Sequence, residues 1–167
     1  MQSPGKRTAL LGISVGLGMM LTYLEANLPV FMGVPGMKPG FSNILVVFLM
    51  YVCGWKEALL VNFVRIMLSG LLFGNPFSII YSLSGAAVSF IAMCAGKRSG
   101  IFSCYGVSMT GGIFHNAGQI IAAIFLVENY RIILYLPILM ITGCATGLLT
   151  GFLSAAMIKR VGRFFTN

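Results

Sequence analysis

The sequence contains no aspartate, three glutamates, one histidine and one tryptophan, and charged residues make up only 8% of its 167 positions. With no Asp, one His and the glutamates far apart at positions 25, 57 and 128, there is no ligand set for a metal ion. The four cysteines, Cys53, Cys94, Cys104 and Cys144, include no CxxC pair and lie in or beside apolar segments. They read as buried free thiols rather than a zinc site or a disulfide framework. The scarcity of charge excludes a soluble domain, in which roughly a quarter of the residues are charged. Fourteen charged side chains (11 Lys and Arg, 3 Glu) cannot cover a core of this size with a polar shell.

What the chain has instead is apolar bulk, 58% hydrophobic residues with a mean hydropathy of +0.96. Its surface is therefore expected to face lipid. The net charge of +8 would suit nucleic acid, but its placement points elsewhere. Lys6, Arg7, Lys56, Lys97, Arg98, Lys159, Arg160 and Arg163 sit at the ends of long apolar runs, the pattern that marks cytoplasmic ends of membrane spans. No nucleic-acid partner is expected.

A bilayer core takes about 20 apolar residues per helix. The runs define six spans in a single transmembrane domain over 1–167, at about 8–24, 41–53, 58–73, 77–95, 105–127 and 132–158. The first, with Lys6 and Arg7 ahead of it, has the flank of a secretory signal, but its apolar stretch is long for one and no cleavage site follows, so it is read as retained. The second is short, either a short span or one partly embedded in protein. Between the first two, three prolines and three glycines in positions 29–40 forbid a continuous helix and imply a structured loop. Six spans starting inside place both termini in the cytoplasm. The inner segments then hold eight Lys or Arg and the outer ones two, Lys38 and Arg131, with Arg65 left within a span.

Two stripes of small residues run along the sixth span at four-residue spacing: Gly143, Gly147, Gly151, Ala155 and Thr142, Thr146, Thr150, Ser154. Small side chains let membrane helices approach closely enough for dispersion contacts to accumulate. This face either packs against other spans or docks a further membrane subunit. Gly12 and Gly16 make a shorter version in the first span.

Ionisable and amide side chains at membrane depth are expensive and so are candidate functional groups. Arg65 lies midway along the third span with Asn62 and Ser69 on its face; His115, Asn116 and Gln119 lie mid-way along the fifth. Facing lipid would leave their polar atoms unsatisfied, so the two patches are expected to converge. They form either a ligand pocket, with Arg65 on an anionic or carbonyl group, or a network that fastens the two spans. Lys38, Ser42 and Asn43 stand where the outer loop re-enters the membrane, and Glu25 ends the first span on the same side.

The runs Gly36-Met37-Lys38-Pro39-Gly40-Phe41-Ser42-Asn43, Arg65-Ile66-Met67-Leu68-Ser69-Gly70-Leu71-Leu72-Phe73-Gly74, Tyr81-Ser82-Leu83-Ser84-Gly85-Ala86 and His115-Asn116-Ala117-Gly118-Gln119 resemble a bacterial membrane family labelled heptaprenyl diphosphate synthase component I, also called the Gx transporter family. That family looks like the substrate-binding S components of energy-coupling factor (ECF) transporters. The resemblance implies a six-helix S-component-like bundle in the bacterial cytoplasmic membrane that captures a small micronutrient-type molecule from outside. It also implies docking to a transmembrane coupling subunit driven by two ATPases, where S components present an alanine pair at four-residue spacing in the first span and this chain has Gly12 and Gly16. Partner docking is expected at Gly12, Gly16, Gly143, Gly147 and Gly151, and substrate binding at Arg65, His115, Asn116, Gln119, Asn43, Asn62 and Lys38. No cofactor is expected. A non-catalytic membrane subunit for isoprenoid, quinone or flavin-linked redox metabolism is the alternative. Prenyl elongation needs clustered carboxylates to hold magnesium against a diphosphate, and this chain has no Asp. It also lacks a GxxxxGK[ST] phosphate loop, so catalysis and ATP use are expected of partners.

Overall fold

The computed structural model describes residues 4–27 and 40–162. Over these residues the chain forms six α-helices and no strand: α1 (Pro4–Asn27), α2 (Asn43–Val52), α3 (Trp55–Phe73), α4 (Pro76–Ser99), α5 (Cys104–Val127) and α6 (Leu136–Val161), with a 3₁₀ turn at Tyr130–Tyr135 ahead of α6. Four stretches, Gly5–Glu25, Pro76–Ser99, Cys104–Val127 and Tyr130–Val161, are long and apolar enough to cross a membrane. The 19-residue α3 is of similar length but carries Lys56, Glu57, Asn62 and Arg65. The loop expected at 30–40 lies, but for Gly40, outside the described residues, as do Lys38 and Arg163.

The boundaries follow local chemistry. Asn75 caps α4, its side-chain oxygen accepting from the Ser78 amide at 2.8 Å while Pro76 occupies the first turn, where a missing N–H costs nothing. Gly54, at φ +120°, separates α2 from α3 with a backbone that a residue bearing a Cβ adopts only under strain.

At ten residues, α2 is about 15 Å long, half the ~30 Å apolar thickness of a bilayer. Its sequence is apolar all round, and Ile44 through Met50 are all buried, as such a helix must be inside protein. Val46 to Met50 form the centre of a core completed by Leu10 of α1, Ala58 and Val61 of α3, Phe90 and Met93 of α4 and Val107 of α5. The second segment is thus embedded in protein. Both its ends are tied. Ser154 of α6 donates to the Ile44 carbonyl at 3.0 Å. Lys97 of α4 donates to the Met50 carbonyl and sits 4.6 Å from the centre of the Tyr51 ring, a cation placed where a helix C-terminus leaves carbonyls unpaired.

Helices α4, α5 and α6 meet almost backbone to backbone. A Cβ at Gly147 would lie 2.7 Å from the Ser108 carbonyl and from Met109 Cα, one at Gly143 would lie 2.6 Å from the Gly112 carbonyl, and one at Gly118 would lie 2.7 Å from the Ser84 carbonyl. Ser108 and Thr150 share a hydroxyl contact of 2.9 Å within the α5–α6 seam. Gly143, Gly147 and Gly151, expected to dock a partner, are buried against α5 inside the chain. Gly12 and Gly16 differ, being exposed with nothing within 4 Å of a Cβ built on either.

The two glycine pairs should respond oppositely to bulk. Gly147→Val should lower stability by about 1–3 kcal/mol through overpacking, whereas Gly12→Val should leave it unchanged or slightly raised. Thermal unfolding of the two variants in detergent against the parent protein measures the contrast.

Candidate functional site

The polar face of α3 recurs at helical spacing: Asn62, Arg65 and Ser69 are buried together with Val61, Ile66 and Gly70. Arg65 is only 6% exposed. Its Nη2 donates to Asn62 Oδ1 at 2.6 Å, three residues back on its own helix, and its Nη1 donates to Thr22 Oγ1 of α1 at 2.9 Å. The Thr22 hydroxyl donates in turn to the Gly18 carbonyl at 2.9 Å. Gly18 makes this possible, since a Cβ there would lie 2.6 Å from Arg65 Cδ. The absent side chain is the groove through which the arginine stem passes α1.

One turn beyond Thr22, Glu25 is also 6% exposed, and its Oε1 accepts from the Ser42 backbone amide just ahead of α2 at 3.2 Å. From α5, Asn116 donates to the Leu139 carbonyl of α6 at 2.6 Å. His115 and Gln119 are packed against Gly85 of α4, where a Cβ would lie 2.9 Å from His115 Cε1 and from Gln119 Cγ.

These groups surround a cavity of about 80 Å³. Its wall takes Thr22 and Glu25 from α1, Ser42 and Asn43 from the start of α2, Arg65, Ser69 and Phe73 from α3, Ser78 and Ser82 from α4, and His115, Asn116 and Gln119 from α5. Among the described residues, Arg65 Nε and the Ser69 hydroxyl are buried with no hydrogen-bond partner. A buried donor left unpaired costs about 1–3 kcal/mol, more for a charged group. Both residues line the cavity.

The cavity occupies the end of the bundle opposite the basic helix ends. Arg7 pairs with Glu57, joining the starts of α1 and α3, and Lys97 closes the end of α2. The wall residues instead come from the last turns of α1, the start of α2, the second half of α3 and the first turns of α4. Thus α2 fills the basic half of the bundle and the cavity lies beyond its N-terminus.

Of the residues expected to bind substrate, Arg65, His115, Asn116, Gln119 and Asn43 reach the wall, and so do Glu25, Ser42 and Ser69, which the sequence also singled out. Asn62 does not line the cavity; it stands behind Arg65 and holds one arm of the guanidinium. Lys38 lies outside the described residues. Asn116 also ties α5 to α6 through the Leu139 carbonyl, a different pair of helices from the third and fifth spans that the fastening network was expected to join. Thr22, Ser78 and Ser82 were missed. Ser78 and Ser82 are an i, i+4 hydroxyl pair in the first turns of α4, and Thr22 with Glu25 an i, i+3 pair, which are the signals that would have found them.

The sequence model of a family described as Heptaprenyl diphosphate synthase component I matches residues 14–157. The chain belongs to that family. The match takes in every described wall residue, from Thr22 to Gln119, and all of the α5–α6 seam. No curated protein and no solved structure matches the chain.

The Arg65 clamp predicts a contrast between two threonines. Thr22→Val removes the acceptor of a buried guanidinium and should cost about 1.5–3 kcal/mol. Thr142→Val, whose hydroxyl donates only to the Leu139 carbonyl of its own helix, should cost less than about 1 kcal/mol. Denaturant or thermal unfolding in detergent reads both.

Proposed function

We propose that the chain is the substrate-binding subunit, of the S-component type, of a membrane transporter that takes up a small micronutrient-type molecule. The observation that carries this reading is that, among the described residues, the Nε of buried Arg65 and the Ser69 hydroxyl on the cavity wall have no hydrogen-bond partner. A guanidinium held at membrane depth is costly and is retained where it serves a ligand, ion or proton path. Asn43, His115, Asn116 and Gln119 complete the wall and orient the bound molecule. Asn62 and Thr22 fix the guanidinium.

In this reading both termini and the basic helix ends face the cytoplasm, by the excess of Lys and Arg there, and the cavity faces outward. Lys38, which precedes Gly40 in the sequence, belongs to the proposed substrate-binding set. The bare Gly12–Gly16 face of α1 is the docking surface for a transmembrane coupling subunit. Energy comes from partner ATPases, because the chain has no phosphate loop of its own. The chain is not itself an enzyme, having no carboxylate cluster to hold magnesium against a diphosphate.

The family description favours a second reading, a non-catalytic membrane subunit that accompanies a prenyl synthase or redox partner. Co-purification from native membranes separates the two: coupling subunit and ATPases for the first, a prenyl synthase or redox subunit for the second.

Arg65→Ala and Gln119→Ala should each abolish retention of a small molecule by the purified protein, read by native mass spectrometry, while leaving a folded, monodisperse species. Loss of folding in both variants would reduce the polar network to a helix fastener.

A further inference from the structure

The guanidinium of Arg65 reaches its place through a gap in α1. Gly18 lies in the second half of that helix, is buried, and does not itself line the cavity. A glycine within a helix weakens it relative to alanine, so what fills the space of the missing side chain is informative. At Gly147 and Gly118 the three atoms nearest to a built Cβ are all backbone atoms of the facing helix, and the glycine serves to bring two backbones together. At Gly18 the three nearest are all side-chain atoms: Arg65 Cδ at 2.6 Å, Arg65 Cγ at 3.3 Å and Leu45 Cδ1 at 3.5 Å. The space is taken by one arginine stem. A Cβ at Gly85 would likewise meet His115 Cε1 and Gln119 Cγ at 2.9 Å, but it would also meet the His115 carbonyl at 2.9 Å, so there the wall and the helix packing are not separable.

Gly18 acts on the same arginine a second time, through its carbonyl. That oxygen accepts from the Thr22 hydroxyl at 2.9 Å, which commits the hydroxyl hydrogen and leaves the Thr22 oxygen to accept from Arg65 Nη1 at 2.9 Å. Asn62 Oδ1 accepts from Nη2 at 2.6 Å, so both terminal amino groups are tied and the stem decides the rest of the pose. Carbon atoms pack best at about 3.5–4.0 Å. A methyl group at position 18 would therefore drive Arg65 Cδ away by roughly 1 Å and carry the guanidinium off its two acceptors. The helices need not part, because an arginine stem has other rotamers to move into and a backbone does not.

We infer that Gly18, a residue off the cavity wall, is a positioning residue of the binding site: it sets the pose in which Arg65 meets the bound molecule, and a side chain at position 18 removes binding while leaving the bundle folded. This rests on the binding-subunit reading and names a residue on which that site depends.

The test compares the full chain in detergent with Gly18→Ala, Arg65→Ala and the double variant. Gly5→Ala is the control, since a Cβ there meets nothing within 4 Å. Native mass spectrometry follows the small molecule that the parent protein carries through purification. Its occupancy should fall at least about tenfold in Gly18→Ala, the loss expected when a charge-assisted hydrogen bond is broken, and stay at the parental level in Gly5→Ala. Thermal unfolding closes a double-mutant cycle: Gly18→Ala should lower Tm by at least about 2 °C in the parent, and leave it unchanged or raise it once Arg65 is alanine, because the stem it collides with is gone. In ¹⁵N spectra of the arginine side chains, the Arg65 Nε–H signal, assigned by its loss in Arg65→Ala, should shift in Gly18→Ala and hold its position in Gly5→Ala. Parental occupancy in Gly18→Ala, an unmoved Arg65 signal, or the same change in Tm with and without Arg65 would each overturn the assignment and leave the binding-subunit reading standing. If Gly18→Ala does not fold, the double variant decides: a folded one supports the collision with Arg65, and an unfolded one overturns it. A parent protein that carries no small molecule overturns the binding-subunit reading, and the assignment falls with it.

Discussion

A helix of ten residues cannot reach across a bilayer core, and the arrangement of this protein follows from having one at its centre. α2 is apolar on every side, so it must be enclosed by protein. Being about 15 Å long, it encloses only one half of the bundle. The other helices run past its N-terminal end, and the space left there is the cavity. The ties that hold α2 in place, from Ser154 at one end and Lys97 at the other, therefore also fix the cavity floor, where Ser42 and Asn43 begin the helix.

The helices around this plug do two different jobs. α4, α5 and α6 are joined through glycine at distances that exclude a methyl group, which makes them a rigid wall presenting His115, Asn116 and Gln119. α1 and α3 meet through polar contacts, Arg7 with Glu57 at one end and Arg65 with Thr22 towards the other, as well as through the Tyr23–Phe73 ring contact. The site is thus built between a part whose geometry is set by backbone contact and a part whose geometry is set by hydrogen bonds to side chains. The chemistry is on the second part, with both charged wall residues on α1 and α3.

Much of this was legible in the sequence. The helix positions follow from apolar run lengths, and Arg65 and the His115 to Gln119 patch stand out because ionisable and amide groups are rare in such runs. The shortness of α2 was visible, and its all-round apolarity is the mark of enclosure. The fate of the glycines was not legible. Gly12 with Gly16 and Gly143 with Gly147 have the same spacing, yet the first pair is bare and the second is covered by α5. A four-residue spacing defines a face but carries no record of what that face meets. Asn62 was placed on the wall because it shares the Arg65 face, whereas the short i, i+3 bond turns it into a support. Thr22, Ser78 and Ser82 escaped notice because single hydroxyls are common in membrane helices, where each can bond its own backbone.

The position of α1 has one more consequence. Its buried side supplies Thr22 and Glu25 to the cavity and gives up a side chain at Gly18 to let Arg65 through, while its other side, around Gly12, Ile13, Gly16 and Met20, is uncovered. One helix thus belongs both to the binding site and to the outer boundary of the protein. Whatever presses on that boundary, lipid or another helix, changes the free energy of the pose that α1 holds against the guanidinium. If a neighbour on that boundary alters the pose, linkage requires that filling the cavity alter the affinity for that neighbour to the same degree.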